Sequence, residues 1–179
     1  MSFYNIICTL CDNIGCEYST DAVLKNYTSF KIGGKADMMV FPDTEDKIAS
    51  IFKAINENNI PWLIIGKGSN MLVSDDGFRG VVINTCKFDN IKLIDDTTIY
   101  CQSGASLSKL CRFALDNSLT GLEFAFGIPG TCGGAAYMNA GAYGGEMVDV
   151  LISCEHLNSD GTKSSFSNEE LGLSYRHSS

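Results

Sequence analysis

Three groups of residues in this chain have types and spacings that can do chemistry. The first is Gly66-Lys67-Gly68-Ser69-Asn70. Its glycines let the backbone curl, so that successive N–H groups, the Ser69 hydroxyl and the Asn70 amide can converge on an anion. Two standard phosphate motifs fail here. A P-loop needs GxxxxGK[ST], yet Lys67 directly follows the first glycine; the GxGxxG fingerprint needs a third glycine opening a helix, and Met71 stands there. A plain turn between strands explains the glycines but not Ser69 and Asn70. The second group is residues 121–145, with eight of the 18 glycines and one formal charge, Glu123. Glycine at this density costs backbone entropy. Flexible linkers pair glycine with serine and charge, whereas here Phe124, Phe126, Ile128, Tyr137, Met138 and Tyr143 interleave. That pattern predicts an ordered backbone lying close to something flat and large. The third group is eight cysteines. Cys8, Cys11 and Cys16 have spacing that could serve zinc or an iron–sulfur cluster, but no histidine lies near and the next cysteine is Cys86. Buried reduced thiols, with no metal, is the expectation.

Composition narrows the possible partners. The net charge of −8, from 13 basic and 21 acidic residues, leaves no basic surplus to displace counterions from nucleic acid. Backbone amides can still hold a small anion. No apolar run approaches ~18 residues, so no membrane span is expected. The N-terminus lacks the basic and apolar regions of a secretory signal, which makes reduced cysteines in the cytoplasm the default.

The elements that must position these residues follow from periodicity. Residues 3–18 read as a weak helix, and Gly33-Gly34 as a turn before a strand at residues 38–41. Asp43 or Thr44 caps a helix carrying Ile48, Ile51, Phe52 and Ile55. A strand begins after Pro61, completing a βαβ unit with parallel strands. Residues 71–73 read as a strand, residues 75–77 as a turn and 81–83 as another strand. Residues 91–94 and 98–103 form a hairpin, and Ser106 caps a helix through Leu107, Leu110, Cys111, Ala114 and Leu115. A second hairpin pairs 150–157 with 163–166 across Ser159-Asp160-Gly161, and residues 168–171 make a helical turn. The class is α+β, with one small parallel lobe (1–85) and one mainly antiparallel lobe (86–179).

Four ordered segments carry a family resemblance: TSFKIGGKAD (28–37), IIGKGSNMLVSDDGFRGVVI (64–83), GLEFAFGIPGTCGGAAYMNAGAYGGE (121–146) and LSYRHS (173–178). Together they resemble the UDP-N-acetylenolpyruvoylglucosamine reductases, flavin enzymes of peptidoglycan synthesis and so of cell wall biogenesis, cell shape and division. The departures are Lys35, where proline is usual, and Cys132, where valine is common. The resemblance implies the FAD-binding fold of the PCMH/vanillyl-alcohol-oxidase type, two lobes with the cofactor between them. Cofactor contacts are implied for Gly66, Lys67, Gly68, Ser69 and Asn70 at the pyrophosphate. Gly127, Ile128, Pro129, Gly130, Thr131, Gly133, Gly134, Asn139, Gly141 and Ala142 are implied along the dinucleotide and flavin.

The implied reaction passes hydride from NADPH through FAD to the enolpyruvyl double bond of a UDP-sugar. Arg176 is implied as the catalytic cation that steadies charge on the substrate carboxylate, with Tyr175 beside it at the substrate. Neither His156 nor His177 lies in a glycine loop, so FAD is expected to be held non-covalently. The family's proton-donating serine and second carboxylate are expected beyond residue 179, with a substrate-binding domain. The second lobe is expected to be incomplete. The alternatives are a catalytically incomplete FAD-binding fragment of that enzyme, or another flavin oxidase of the same fold.

Overall fold

A computed structural model of the chain describes residues 3–158 and 161–178. The chain divides into two compact units, Met1–Phe88 with Leu157–Thr162, and Asp89–His156 with Lys163–Ser179.

In the first unit, Ile7 and Cys11 are buried along one side of α1 (Phe3–Ile14). The helix stops at Gly15, which takes a left-handed φ of 63°. Cys16 N–H then donates back to the Cys11 carbonyl at 2.8 Å, a Schellman closure. A strand follows immediately, β1 (Glu17–Val23), where the helix had been expected to run to residue 18. Its sequence EYSTDAV is polar because β1 is an edge strand with only Ala22 fully buried, so periodicity gave no signal. Next come β2 (Lys35–Phe41) and α2 (Glu45–Glu57), whose N-cap is Thr44: its hydroxyl accepts from Lys47 N–H. β3 (Trp62–Ile65) and β4 (Phe78–Asn84) complete a sheet of order β1-β2-β4-β3. β1 runs antiparallel to β2, while the β2–β4 and β3–β4 pairs are parallel. The expected βαβ strands are thus parallel, but β4 is inserted between them.

Alternation buries both faces of this sheet. Met38, Val40, Val81 and Ile83 point to the side covered by Ile7 and Cys11 of α1 and Ile51 and Ile55 of α2. Met39 and Val82 face the other side, with Leu24, Met71 and Val73. Residues 71–73 are therefore an irregular segment and not the expected strand. Their apolar side chains fill the second face from a loop, which mimics a buried strand in sequence. Gly34 N–H fixes that loop by donating to the Ser74 carbonyl at 2.9 Å.

The second unit opens with an antiparallel hairpin, β5 (Ile91–Leu93) and β6 (Ile99–Cys101). Asp95 closes it by accepting the N–H groups of Thr97 and Thr98. These bonds, led by the one from Thr97, hold its carboxyl below the usual range. Ser106 caps α3 (Leu107–Asp116). Leu107, Leu110, Phe124, Ala125, Ala135 and Met147 form the core of this unit. Around it lie the short α4 (Cys132–Tyr137), the two-residue strands β7 (Gly141–Ala142) and β8 (Gly145–Glu146), and the pair β9 (Ser153–Leu157) and β10 (Lys163–Ser167). Ser159 and Asp160 of the expected turn lie outside the described residues. Residues 168–171 form a single turn, closed by a helical bond from Leu171 N–H to the Ser167 carbonyl. The whole is α+β.

Candidate functional site

The carboxyl ends of β3 and β4 open onto a cleft of about 460 Å3 in the first unit. In parallel α/β sheets this is where ligands bind, because the strand-to-helix or strand-to-loop connections leave backbone groups facing outward. Gly66 and Lys67 leave β3 into the cleft, Asn84 and Cys86 leave β4 into it, and residues 26–29 with Lys31 complete the lining. Lys31 and Lys67 thus give an acidic chain a locally cationic recess.

Two loops are clasped together at this cleft. Ser29 N–H donates to the Gly68 carbonyl at 3.1 Å, and the buried Thr28 hydroxyl donates to the Ile32 carbonyl. Gly68 is buried with φ 62°, and a Cβ there would lie 2.1 Å from the Tyr27 carbonyl oxygen. The chain's own backbone already demands glycine at this position, before any ligand is considered. Ser69 and Asn70 form the turn that follows, Ser69 half-buried and Asn70 exposed. Residues 28–31 were visible in sequence only as part of a motif. Asn84 and Cys86 carried no signal at all, because their place depends on where β4 ends.

The second glycine group falls in the second unit. After Phe124 and Ala125 enter the core, the chain turns out through Phe126 and Gly127, both exposed. A Cβ added at Gly127 would meet nothing within 4 Å, and its φ lies outside the left-handed region. Neither strain nor packing within this chain explains that glycine. Ile128 packs against the core, Pro129 is exposed, and the Gly130 carbonyl accepts Leu107 N–H at 3.1 Å. Thr131 is buried and caps α4 through Gly134 N–H. Cys132 N–H and Gly133 N–H donate to the carbonyls of Ala105 and Ser103, at 2.7 and 2.8 Å. The amides that open α4 are therefore spent on the chain itself. Gly133 makes room for Ser103, whose Cβ would lie 2.6 Å from an added Cβ.

Asn139, Gly141 and Ala142 serve a different purpose in the fold. Asn139 is buried with φ 41°; its amide donates to Glu146 at 2.7 Å and accepts Val148 N–H at 2.9 Å. Those bonds fasten the β7–β8 hairpin, whose tip, Tyr143-Gly144, has both φ values positive. That is the turn a two-residue hairpin favours. It displays the Tyr143 ring, 97% exposed. Tyr175 and Arg176 sit at the tip of another tight turn, closed by paired bonds between Ser174 and His177. Both are exposed, and Arg176 has a left-handed φ of 52°. The Ser178 hydroxyl anchors this segment by donating to the Tyr137 carbonyl, at the end of α4. His156 stacks on Phe166, ring centroids 4.3 Å apart, and neither histidine lies in a glycine loop.

The first unit carries a cationic, glycine-lined cleft, and the second carries a glycine with open space beside the exposed Phe126. Comparison with known proteins decides the family. The FAD binding domain model matches residues 36–167. The chain belongs to the FAD binding domain family. It is 47% identical over 178 residues to the UDP-N-acetylenolpyruvoylglucosamine reductase of Clostridium tetani, covering 99% of this chain and 58% of that protein. It is 47% identical over 155 residues to the enzyme of that name from Streptococcus pneumoniae strain Hungary19A-6, covering 87% and 51%. The chain spans about half the length of the curated relatives it matches. Among solved structures, the reductase (MurB) of Thermus caldophilus superposes with a TM-score of 0.74 at 34% identity, covering 91% of this chain and 56% of that one. A glucose dehydrogenase variant of Phl p 4 (TM-score 0.67, 13% identity, 93% and 38% covered) and p-cresol methylhydroxylase (0.64, 17%, 88% and 33%) share the fold. The fold is the FAD-binding fold of the PCMH/vanillyl-alcohol-oxidase type.

Among the described residues, no group of three or more His, Cys, Asp or Glu could hold a metal, and no helix is long and apolar enough to cross a membrane.

Proposed function

We propose that this chain forms the FAD-holding part of a UDP-N-acetylenolpyruvoylglucosamine reductase, acting in the cytoplasm with NADPH and a UDP-sugar as its partners. The observation that carries the reading is the cleft at the carboxyl ends of β3 and β4, where two lysines and a clasped pair of glycine loops meet. Bound FAD supplies the hydride-transfer chemistry. The chain's own residues do the rest. Gly66, Lys67, Gly68, Ser69 and Asn70 hold the pyrophosphate through backbone amides, aided by the Lys67 and Lys31 charges. The span from Gly127 to Thr131 presents backbone to the flat part of the cofactor, and Gly127 keeps the surface open. FAD is held non-covalently, since neither His156 nor His177 lies in a glycine loop. Domain roles follow the two units: the first takes the phosphates, and the second takes the flavin and presents Tyr175 and Arg176.

Arg176 is a fixed cation on a strained, exposed turn, suited to a carboxylate that gains charge during reduction. A left-handed arginine costs the fold, and such strain is concentrated at functional turns. The test is FAD titration of the purified chain, followed by flavin fluorescence. Saturable binding that weakens at least tenfold in Lys67→Ala supports the reading; a chain that takes up no FAD removes it.

A further inference from the structure

The Tyr175-Arg176 turn needs a fixed bearing if Arg176 is to meet a substrate carboxylate, and the bonds inside the turn do not supply one. Ser174 and His177 exchange two backbone bonds of 3.1 Å, which set the shape of the turn but not its direction. Tyr175 and Arg176 are both exposed, so neither side chain packs the turn against the core. Upstream, the chain is anchored by Asn168 and Leu171. The Asn168 amide donates to the Val148 and Leu151 carbonyls at 2.7 and 2.6 Å, its N–H donates to the Ile152 carbonyl, and the Leu171 side chain is buried. Gly172 follows with a left-handed φ of 54°, a pivot between that anchor and the turn.

Downstream, the anchor is Ser178. Its hydroxyl donates to the Tyr137 carbonyl at 2.8 Å, 41 residues back along the chain. A carbonyl in the last turn of a helix has no donor further along that helix. At the end of α4 the Gly134, Ala135 and Ala136 carbonyls accept the N–H groups of Met138, Ala140 and Asn139, and Ser178 serves the Tyr137 carbonyl. The same six-residue helix opens directly after the Gly127–Thr131 span, with Thr131 as its cap. Ser178 thus ties the turn that displays Arg176 to the helix that continues the proposed flavin-facing span.

We propose that Ser178 is a positioning residue for the reduction, holding Arg176 toward the substrate carboxylate by pinning its turn to the end of α4. The inference rests on the reductase reading above. The Ser178 hydroxyl is spent on the Tyr137 carbonyl, so it acts through the direction of the Arg176 turn and not on the reacting atoms. One neutral hydrogen bond is modest, so its loss frees the turn without unfolding the unit. Stabilising charge in a transition state depends on where the cation is held, so turnover falls, while the glycine loops that hold FAD stay in place.

Steady-state kinetics of a full-length reductase carrying this sequence tests this, with NADPH and the UDP-sugar as substrates. Ser178→Ala should lower kcat at least about fivefold, with flavin absorbance at the wild-type level. Ser178→Thr keeps the hydroxyl and should return kcat to within about twofold of wild type. In an Arg176→Ala background, Ser178→Ala should lower kcat by less than about twofold, because the group it positions is gone. A wild-type kcat in Ser178→Ala, an equal loss with and without Arg176, or a Ser178→Thr enzyme as slow as Ser178→Ala would each overturn the positioning role. Loss of flavin in Ser178→Ala would overturn it too, by making the bond a support for the cofactor site. A wild-type enzyme that holds FAD yet does not reduce the UDP-sugar would fail at the reductase reading, and the inference would fall with it.

Discussion

Gly68 and Gly127 lack side chains for opposite reasons, and that difference yields two separable predictions. At Gly68 a Cβ would strike the Tyr27 carbonyl and φ is 62°. Gly68→Val should therefore cost at least about 2 kcal/mol of stability, seen as a lower midpoint in urea. At Gly127 a Cβ meets nothing of this chain. Gly127→Val should leave the urea midpoint unchanged while weakening FAD binding at least tenfold. Sequence alone gave both glycines the same explanation, close approach to a cofactor. It could not show that Tyr27, far away along the chain, lies against Gly68. Asn139 is a similar case: a polar residue in a glycine-rich motif read as a ligand contact, whereas its amide is fastened to Glu146 and Val148. Asn139→Ala leaves the part-buried Val148 N–H without its acceptor and takes one of two donors from the Glu146 carboxylate, which keeps the Asp149 N–H. It should cost about 2–3 kcal/mol in denaturant unfolding.

Among the elements, α2 and α3 were legible because each has a buried stripe and a capping hydroxyl, Thr44 and Ser106. Thr44→Ala should cost about 0.5–1 kcal/mol by the same unfolding measurement. β1 was not legible, since a polar edge strand shows no alternation. The apolar loop at residues 71–73 was mistaken for a strand because Met71 and Val73 are buried without pairing. The order β1-β2-β4-β3 was also out of reach: pairing is decided between strands far apart in sequence, and local pattern carries only the parallel sense. That order matters to function. It sets the carboxyl ends of β3 and β4 next to one another and so creates the cleft that Gly66, Lys67, Asn84 and Cys86 line.

For the whole molecule, each unit carries a glycine loop, and the proposed chemistry is assigned to a third feature, the Tyr175-Arg176 turn. In a full-length reductase carrying this sequence, Arg176→Ala should lower turnover at least a hundredfold while FAD absorbance stays at wild-type level. Loss of flavin instead would give that arginine a structural role. The central claim is that this chain binds FAD through loops whose glycines are kept for a ligand, and the most direct measurement compares wild type with Gly127→Val in an FAD titration. Saturable binding by the wild type, at least tenfold weaker in the variant at equal urea midpoint, is the predicted result. Equal FAD affinity in the two proteins would contradict the account.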